Sequence, residues 1–241
     1  MLEAPVNPEH VINFNDHTNE QVSIIVVHSK NNTDYLSMCL QSIYVTSHLN
    51  NYEVIVVDNG SGQETQEYLS LCEKEGVKVV RNDRNLYWSA AANRGVQVAD
   101  KGSKYYVFMH HDVVILNHGW IDILINGTET SKSGLIGSHI APFYVNNIKA
   151  DYVSECLMLM SKECFKDCGP WPEDLPAVGH SFIMTAKAQS KGYNPNGVKL
   201  DGAVICHHFK TFNFERNEYA ELLNNAKPVL HKLMREVQLA F

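Results

Sequence analysis

Four short stretches of the chain are apolar almost without interruption, and in the segments between them apolar residues return at every third or fourth position. Val22-Ser23-Ile24-Ile25-Val26-Val27, Glu53 to Val57, Val77 to Val80 and Tyr105 to Met109 are rich in β-branched or aromatic residues and read as strands. The intervening segments read as helices. The first runs from Asp34 to about Ser47, with Leu36, Cys39, Leu40 and Ile43 on one face and Asn32 or Thr33 as a cap. Gln63 to Glu75, closed by Gly76, and the small-residue stretch Ser89 to Ala99 are the other two. Strands without a polar face, alternating with helices, imply right-handed crossovers and a parallel sheet covered on both sides. The expected fold class is therefore α/β, a Rossmann-like, mostly parallel central sheet flanked by helices. Later in the chain, Val153 to Met160 and Ala203 to Phe209 predict two more strands, and Asn217 to Phe241 predicts a helix around Pro228. Met1 to Gln21, with two prolines and little apolar content, reads as a loosely held arm.

Parallel sheets bind ligands just beyond the carboxyl ends of their strands, and here those ends are polar. The first strand stops at His28, the second at Asp58-Asn59-Gly60-Ser61-Gly62, and the fourth at His110-His111-Asp112. Two imidazoles and a carboxylate can hold a divalent cation and, through it, a diphosphate; the competing reading is a strand end that is polar because it meets water. Asp58 suits hydrogen bonds to a ribose or a base edge. No GxGxxG follows the first strand and no GxxxxGK[ST] occurs, which argues against an NAD enzyme and a P-loop NTPase.

Charge and cysteine content narrow the class. With 20 Lys+Arg against 27 Asp+Glu the formal net charge is -7, which disfavours nucleic acid as a partner. No apolar segment approaches the ~20 residues needed to span a bilayer, and the first twenty residues are too polar for a secretory signal, so a cytoplasmic protein without a transmembrane segment is expected. The six cysteines lack the density of a disulfide scaffold and read as reduced thiols. A zinc site from Cys164, Cys168, Cys206 and His208 competes, without the C-x₂-C pair that would support it.

VSIIVVHSKN, EVIVVDNGSG, RNDRNLYWSAAANRG and YVFMHHDVVILNHGW, in this order, resemble the family 2 glycosyltransferases of the GT-A fold over about Val22 to Phe209. The resemblance implies a GT-A domain over 22–210, divided into a nucleotide-binding half (22–116) and a smaller acceptor half (117–210), with a C-terminal helical tail over 211–241. It gives Asp58 the nucleotide base and places His28, Asn85 and the Ala92-Asn93-Arg94-Gly95 stretch on the nucleotide and diphosphate side; a cap and a solvated helix face are the alternatives for Asn93 and Arg94. The family's DxD motif stands here as His110-His111-Asp112. Asp112 retains the metal-binding carboxylate, while His110 replaces the first one and tilts the choice toward Mn²⁺ over Mg²⁺. Trp120 falls at a position expected to pack in the core or as an acceptor platform. A histidine after the last strand is implied to complete the metal site. Adjacent residues on an extended chain point opposite ways, so only one of His207 and His208 should reach it, and His207 is favoured by its place in the pattern.

The acceptor half departs from its family. Glu163 to Asp174 resembles the family's "evF...GgFDED", and Gly179-His180-Ser181-Phe182-Ile183 falls on its G-E-D-V-D, so the catalytic base position holds Ser181. A serine hydroxyl is too weak a base near neutral pH, whereas His180 titrates in a suitable range and becomes the candidate, with Glu155 and Asp174 as alternatives. A capping or packing histidine is the competing reading. The resemblance implies inverting, metal-assisted transfer from a nucleotide-diphosphate sugar, expected to be UDP-linked, to a glycan, lipid-linked or protein acceptor. A nucleotide-sugar-binding protein without activity and a sugar nucleotidyltransferase are the rivals. The tail is expected to pack on the core, cover the acceptor site, or form a homodimer contact.

Overall fold

The structure, a computed structural model, describes residues 22–30, 32–47, 51–145, 148–198, 205–210 and 216–236. The arm over 1–21 lies outside them. The first half runs β1 (Val22–His28), α1 (Thr33–Ser47), β2 (Tyr52–Asn59), α2 (Gln63–Lys74), β3 (Lys78–Asn82), α3 (Tyr87–Val98) and β4 (Tyr105–His110). The second half runs β5 (Val113–Ile115), α4 (Trp120–Ser131), β6 (Leu135–Gly137), β7 (Ile140–Val145), β8 (Ile148–Val153), β9 (Leu157–Ser161), α5 (Lys162–Cys168), α6 (His180–Ser190), β10 (Asn196–Gly197), β11 (Cys206–His208) and α7 (Arg216–Glu236).

Seven of these strands form one sheet in the order β10-β6-β9-β4-β1-β2-β3. β1, β2, β3 and β4 are mutually parallel, and β9 runs against both β4 and β6. Because β1 and β2 are central, every residue in them is buried, which is why they read as apolar runs without alternation. One face packs against α1 and α4 through Leu36, Leu40, Ile43, Trp120 and Leu124. The other packs against α3, α5 and α6 through Trp88, Ala91, Cys164, Trp171 and Met184. Gly95 allows α3 to lie close on the sheet, since a Cβ there would drive into Ile25 and Val57. Trp120 is wholly buried and donates its indole N–H to Ser47 Oγ at 2.7 Å, in keeping with a core role.

The strand expected over Val153 to Met160 is in fact two. β8 ends at Val153, Ser154 to Cys156 turn, and β9 begins at Leu157. β8 belongs to a separate two-stranded sheet with β7, while β9 joins the main one. In the tail, α7 lays Leu230, Ala226 and Met234 against Val178, Phe182 and Ile183, so its apolar face is spent on its own chain. Among the described residues, no helix is long and apolar enough to cross a membrane.

Candidate active site

Strand polarity explains where the site lies. The carboxyl ends of β1, β2 and β4 meet at one edge of the sheet, and antiparallel β9 delivers its beginning to that same edge: Leu157 pairs with Met109, and His110 N–H donates to Cys156 O at 3.2 Å. A cleft of about 660 Å³ opens there. Val27, Ser29, Asn59, Asn85, Tyr87 and Trp88 line it from the β1, β2 and α3 side, Tyr152, Ser154, Glu155 and His180 from the opposite half, with His110, His111, Asp112 and His208 also facing it. A further cavity of about 700 Å³ adjoins it and shares His139, His208 and Lys210.

One cluster is built on Asp112, which is 1% exposed. His208 Nε2 lies 3.2 Å from Asp112 Oδ1, His110 Nδ1 lies 3.3 Å from His208 Nε2, and His110 Nδ1 is 4.0 Å from Asp112 Oδ1. Nitrogen and oxygen ligands at ~2.0–2.2 Å from one ion stand roughly 3 to 3.5 Å apart; both His208 separations meet that spacing, and the wider His110–Asp112 pair would be drawn together by a shared divalent cation. Among the described residues this is the group that could hold a metal ion. The competing zinc set of Cys164, Cys168, Cys206 and His208 is not such a group among the described residues.

The favoured histidine is corrected by strand register. β11 pairs antiparallel with β5, setting His208 opposite Val113 beside Asp112, while His207 stands opposite Val114. Phe209 N–H donates to Asp112 O at 3.0 Å and holds that register. His207 is exposed, its ring packed on Phe209 with centroids 4.6 Å apart.

The surroundings keep the imidazoles in different charge states. Burial pushes His110 down to about 4, against the raising influence of Glu155. Burial and the neighbouring His111 push His28 down to about 3. Burial also lowers His208, but hydrogen bonds to Asp112 and Cys156 outweigh it and bring it up to about 9. His111 donates from Nδ1 to Val27 O at 3.4 Å, and its Nε2 accepts from Asn32 Nδ2 at 3.3 Å, with His28 edge-on at 4.7 Å. His111 and His28 thereby brace the strand ends; neither is among the three donors that could share a metal ion.

A second cluster is built on Glu155. Its Oε2 accepts from Ser181 Oγ at 2.8 Å, and His180 Nε2 stands 3.4 Å from Oε1. Burial would raise this carboxyl, but the charge and hydrogen bond of His180, with His110 beyond, hold it well below the usual carboxylate range. The Glu155 side chain is 19% exposed and that of His180 4%, so the carboxylate presents itself to the cleft and the imidazole backs it. Trp88 stacks on His180 at 6.0 Å and 24°, and meets His110 edge-on at 4.7 Å, spanning the two clusters. Gly179, at φ 81°, closes the turn before His180, where a Cβ would strike Leu230 of α7. Asp174, the other alternative base, is exposed and away from the cleft wall.

Asp58 is buried at the end of β2; Oδ1 accepts from Ser61 N–H at 3.2 Å, and Oδ2 has no hydrogen-bond partner among the described residues. Asn85 lines the cleft. Asn93 and Arg94 do not, which corrects their expected place on the diphosphate side. Asn93 donates to Trp171 O and Glu173 Oε1, both at 2.9 Å, and accepts from Trp171 N–H at 2.9 Å; Arg94 is exposed and bonds Asn82. Sequence reasoning missed Tyr87, Trp88, His139 and Cys156. Cys156 Sγ lies 3.5 Å from both His139 Nδ1 and Ser138 Oγ; burial raises the thiol, but hydrogen bonds to His139 and His208 outweigh it and bring it to about 6.

Residues 24–167, well over half the chain, match the model of Glycosyl transferase family 2. The chain belongs to that family. No curated protein sequence matches it. The family 2 domain superposes on the mannosyltransferase PcManGT from Pyrobaculum calidifontis, solved with GDP-Man and Mn²⁺, with a TM-score of 0.64 at 16% identity, covering 93% of this chain and 73% of that one. TarS 1-349 of S. aureus gives 0.58 at 16%, covering 92% and 76%. GalNAc-T7 with UDP, GalNAc and Mn²⁺ gives 0.61 at 13%, covering 88% and 48%. At such identities these likenesses establish the GT-A fold.

Proposed function

We propose that this family 2 glycosyltransferase moves a glycosyl residue from a nucleoside-diphosphate donor, UDP-linked before GDP-linked, to an acceptor hydroxyl with inversion at the anomeric carbon. One observation carries the reading: a cation-binding triad and a histidine-backed carboxylate face the same cleft, with Trp88 between them. His110, Asp112 and His208 would hold a divalent cation, Mn²⁺ before Mg²⁺ because two of the three donors are imidazoles. The cation supplies the positive charge that neutralises a leaving diphosphate. That Mn²⁺ and a nucleotide or nucleotide sugar accompany PcManGT and GalNAc-T7 supports the choice.

Glu155 is the group proposed to take the acceptor proton, standing in for the carboxylate that Ser181 replaces. The acceptor oxygen bonds to the anomeric carbon as the bond from that carbon to the diphosphate oxygen breaks, and the nucleoside diphosphate departs with both electrons. His180, 3.4 Å from Oε1, backs the carboxylate in the position from which it would take the proton. Ser181 orients the carboxylate through its 2.8 Å hydrogen bond. Asp58 would accept from the nucleotide base. Incubation with Mn²⁺, UDP- or GDP-sugars and a panel of acceptor glycans, lipids and peptides tests the reading. Free nucleoside diphosphate with glycosylated product is expected; pyrophosphate release, or binding without turnover of any donor, would overturn it.

A further inference from the structure

Tyr87 opens α3 with φ 59°, in the left-handed region that glycine and, less often, asparagine or aspartate adopt. The strain is imposed from three directions. Tyr87 N–H donates to Asn85 Oδ1 at 2.8 Å, Tyr87 O accepts from Asn59 Nδ2 at 3.1 Å, and Asn59 Oδ1 accepts in turn from Asn82 Nδ2 at 2.8 Å and Leu86 N–H at 3.4 Å. These bonds engage only the backbone of Tyr87, and glycine would satisfy every one of them without the steric cost of a Cβ.

The Tyr87 side chain is half-buried and lines the cleft beside Asn59 and Asn85, at the ends of the strands that carry Asp58 and His28. Strained residues of this kind persist where the surroundings over-determine them, and an aromatic ring held rigidly in a cleft wall offers a flat apolar face at little further entropic cost. Trp88, next in sequence, is turned inward onto His110 and His180, so consecutive aromatics serve opposite ends of the same cleft.

We infer that Tyr87 is a specificity-determining residue whose ring stacks on the nucleoside of the donor, the strained backbone serving to present it. This rests on the nucleotide-sugar reading of the cleft. The contact is to the π-face of a base or the apolar face of a ribose, and the phenol hydroxyl is dispensable to it.

Calorimetric titration of UDP and GDP, each with Mn²⁺, into the parent protein and into Tyr87→Gly and Tyr87→Phe separates the two claims. No binding of either nucleotide to the parent would overturn the donor reading itself. With the parent binding, the inference expects Tyr87→Gly to melt at the same or a higher temperature, relieved of its strained φ, yet to bind the nucleotide at least tenfold more weakly. Tyr87→Phe should stay within about threefold of the parent, since stacking needs only the ring. Binding by Tyr87→Gly within twofold of the parent, or a Tyr87→Phe as weak as Tyr87→Gly, would overturn it.

Discussion

Two carboxylates line the same cleft, each beside a histidine and each in a turn between strands of two different sheets, and they differ in exposure and in where their partners come from. Asp112 is 1% exposed in the turn between β4 and β5, two residues past a central parallel strand, and its partner His208 is brought up to about 9. Glu155 sits in a turn between strands of two different sheets, and its partners come from the start of a helix 25 residues or more along the chain. The first arrangement is rigid and keeps a proton that a cation must displace. The second is more open and keeps its carboxylate ionised. Each suits its proposed role, the first as a buried site for a resident ion and the second as a wet-side base that meets a changing acceptor.

Either carboxylate can be removed to test this contrast. Asp112→Ala should have the largest effect, abolishing cation-dependent nucleotide binding, because the two remaining imidazoles keep no anionic donor. Equal UDP affinity with Mn²⁺ and with chelator in the parent would already contradict it. Glu155→Gln should come next, lowering kcat by about 10² to 10⁴ as expected for loss of a general base, with donor affinity unchanged. If His180→Ala loses much more than Glu155→Gln, the imidazole is the base and the carboxylate its support.

Smaller effects are expected at the other strand ends. Asp58→Ala removes an interaction shared by ground and transition states, so donor KM should rise about tenfold while kcat holds. A normal KM would reduce Asp58 to a turn-forming residue through its bond to Ser61. Cation affinity should fall with falling pH, because below about 9 the ion competes with the proton on His208; the slope expected is close to tenfold per pH unit. The same proton has the opposite sign for stability without metal. His208 is raised above its unfolded value, so its contribution is full below pH ~6.5 and is lost as pH climbs through about 9. Flat cation affinity between pH 6.5 and 8.5 would contradict the assignment of His208.

The two carboxylates were also unequally legible in the sequence. Asp112 and His110 stand two residues apart at the end of an apolar run, and a parallel sheet sends such ends to its ligand edge, so the parallel sheet and one half of the candidate site could be read directly. Glu155 could not be placed in this way. Val153 to Met160 has strand character throughout, and only tertiary pairing shows that the chain turns at Ser154 to Cys156 and re-enters the main sheet antiparallel. His207 and His208 were indistinguishable for a related reason: alternation says that one faces inward, while the register against β5 decides which. Asn93 and Arg94 fitted a motif but are not among the residues that line the cleft, because a helix face is fixed by what it packs on, here Trp171 and Asn82. Tyr87 carried no signal, since a positive φ at a non-glycine residue is visible only in the folded chain.

The central claim is that His110, Asp112 and His208 form one cation site while the adjacent His207 stands outside it. Titration of Mn²⁺ into the parent, His208→Ala and His207→Ala, followed by electron paramagnetic resonance of the free ion, tests it most directly. One tight ion per chain in the parent and in His207→Ala, lost in His208→Ala, is the result predicted. Unchanged binding in His208→Ala, or its loss in His207→Ala, would contradict the account.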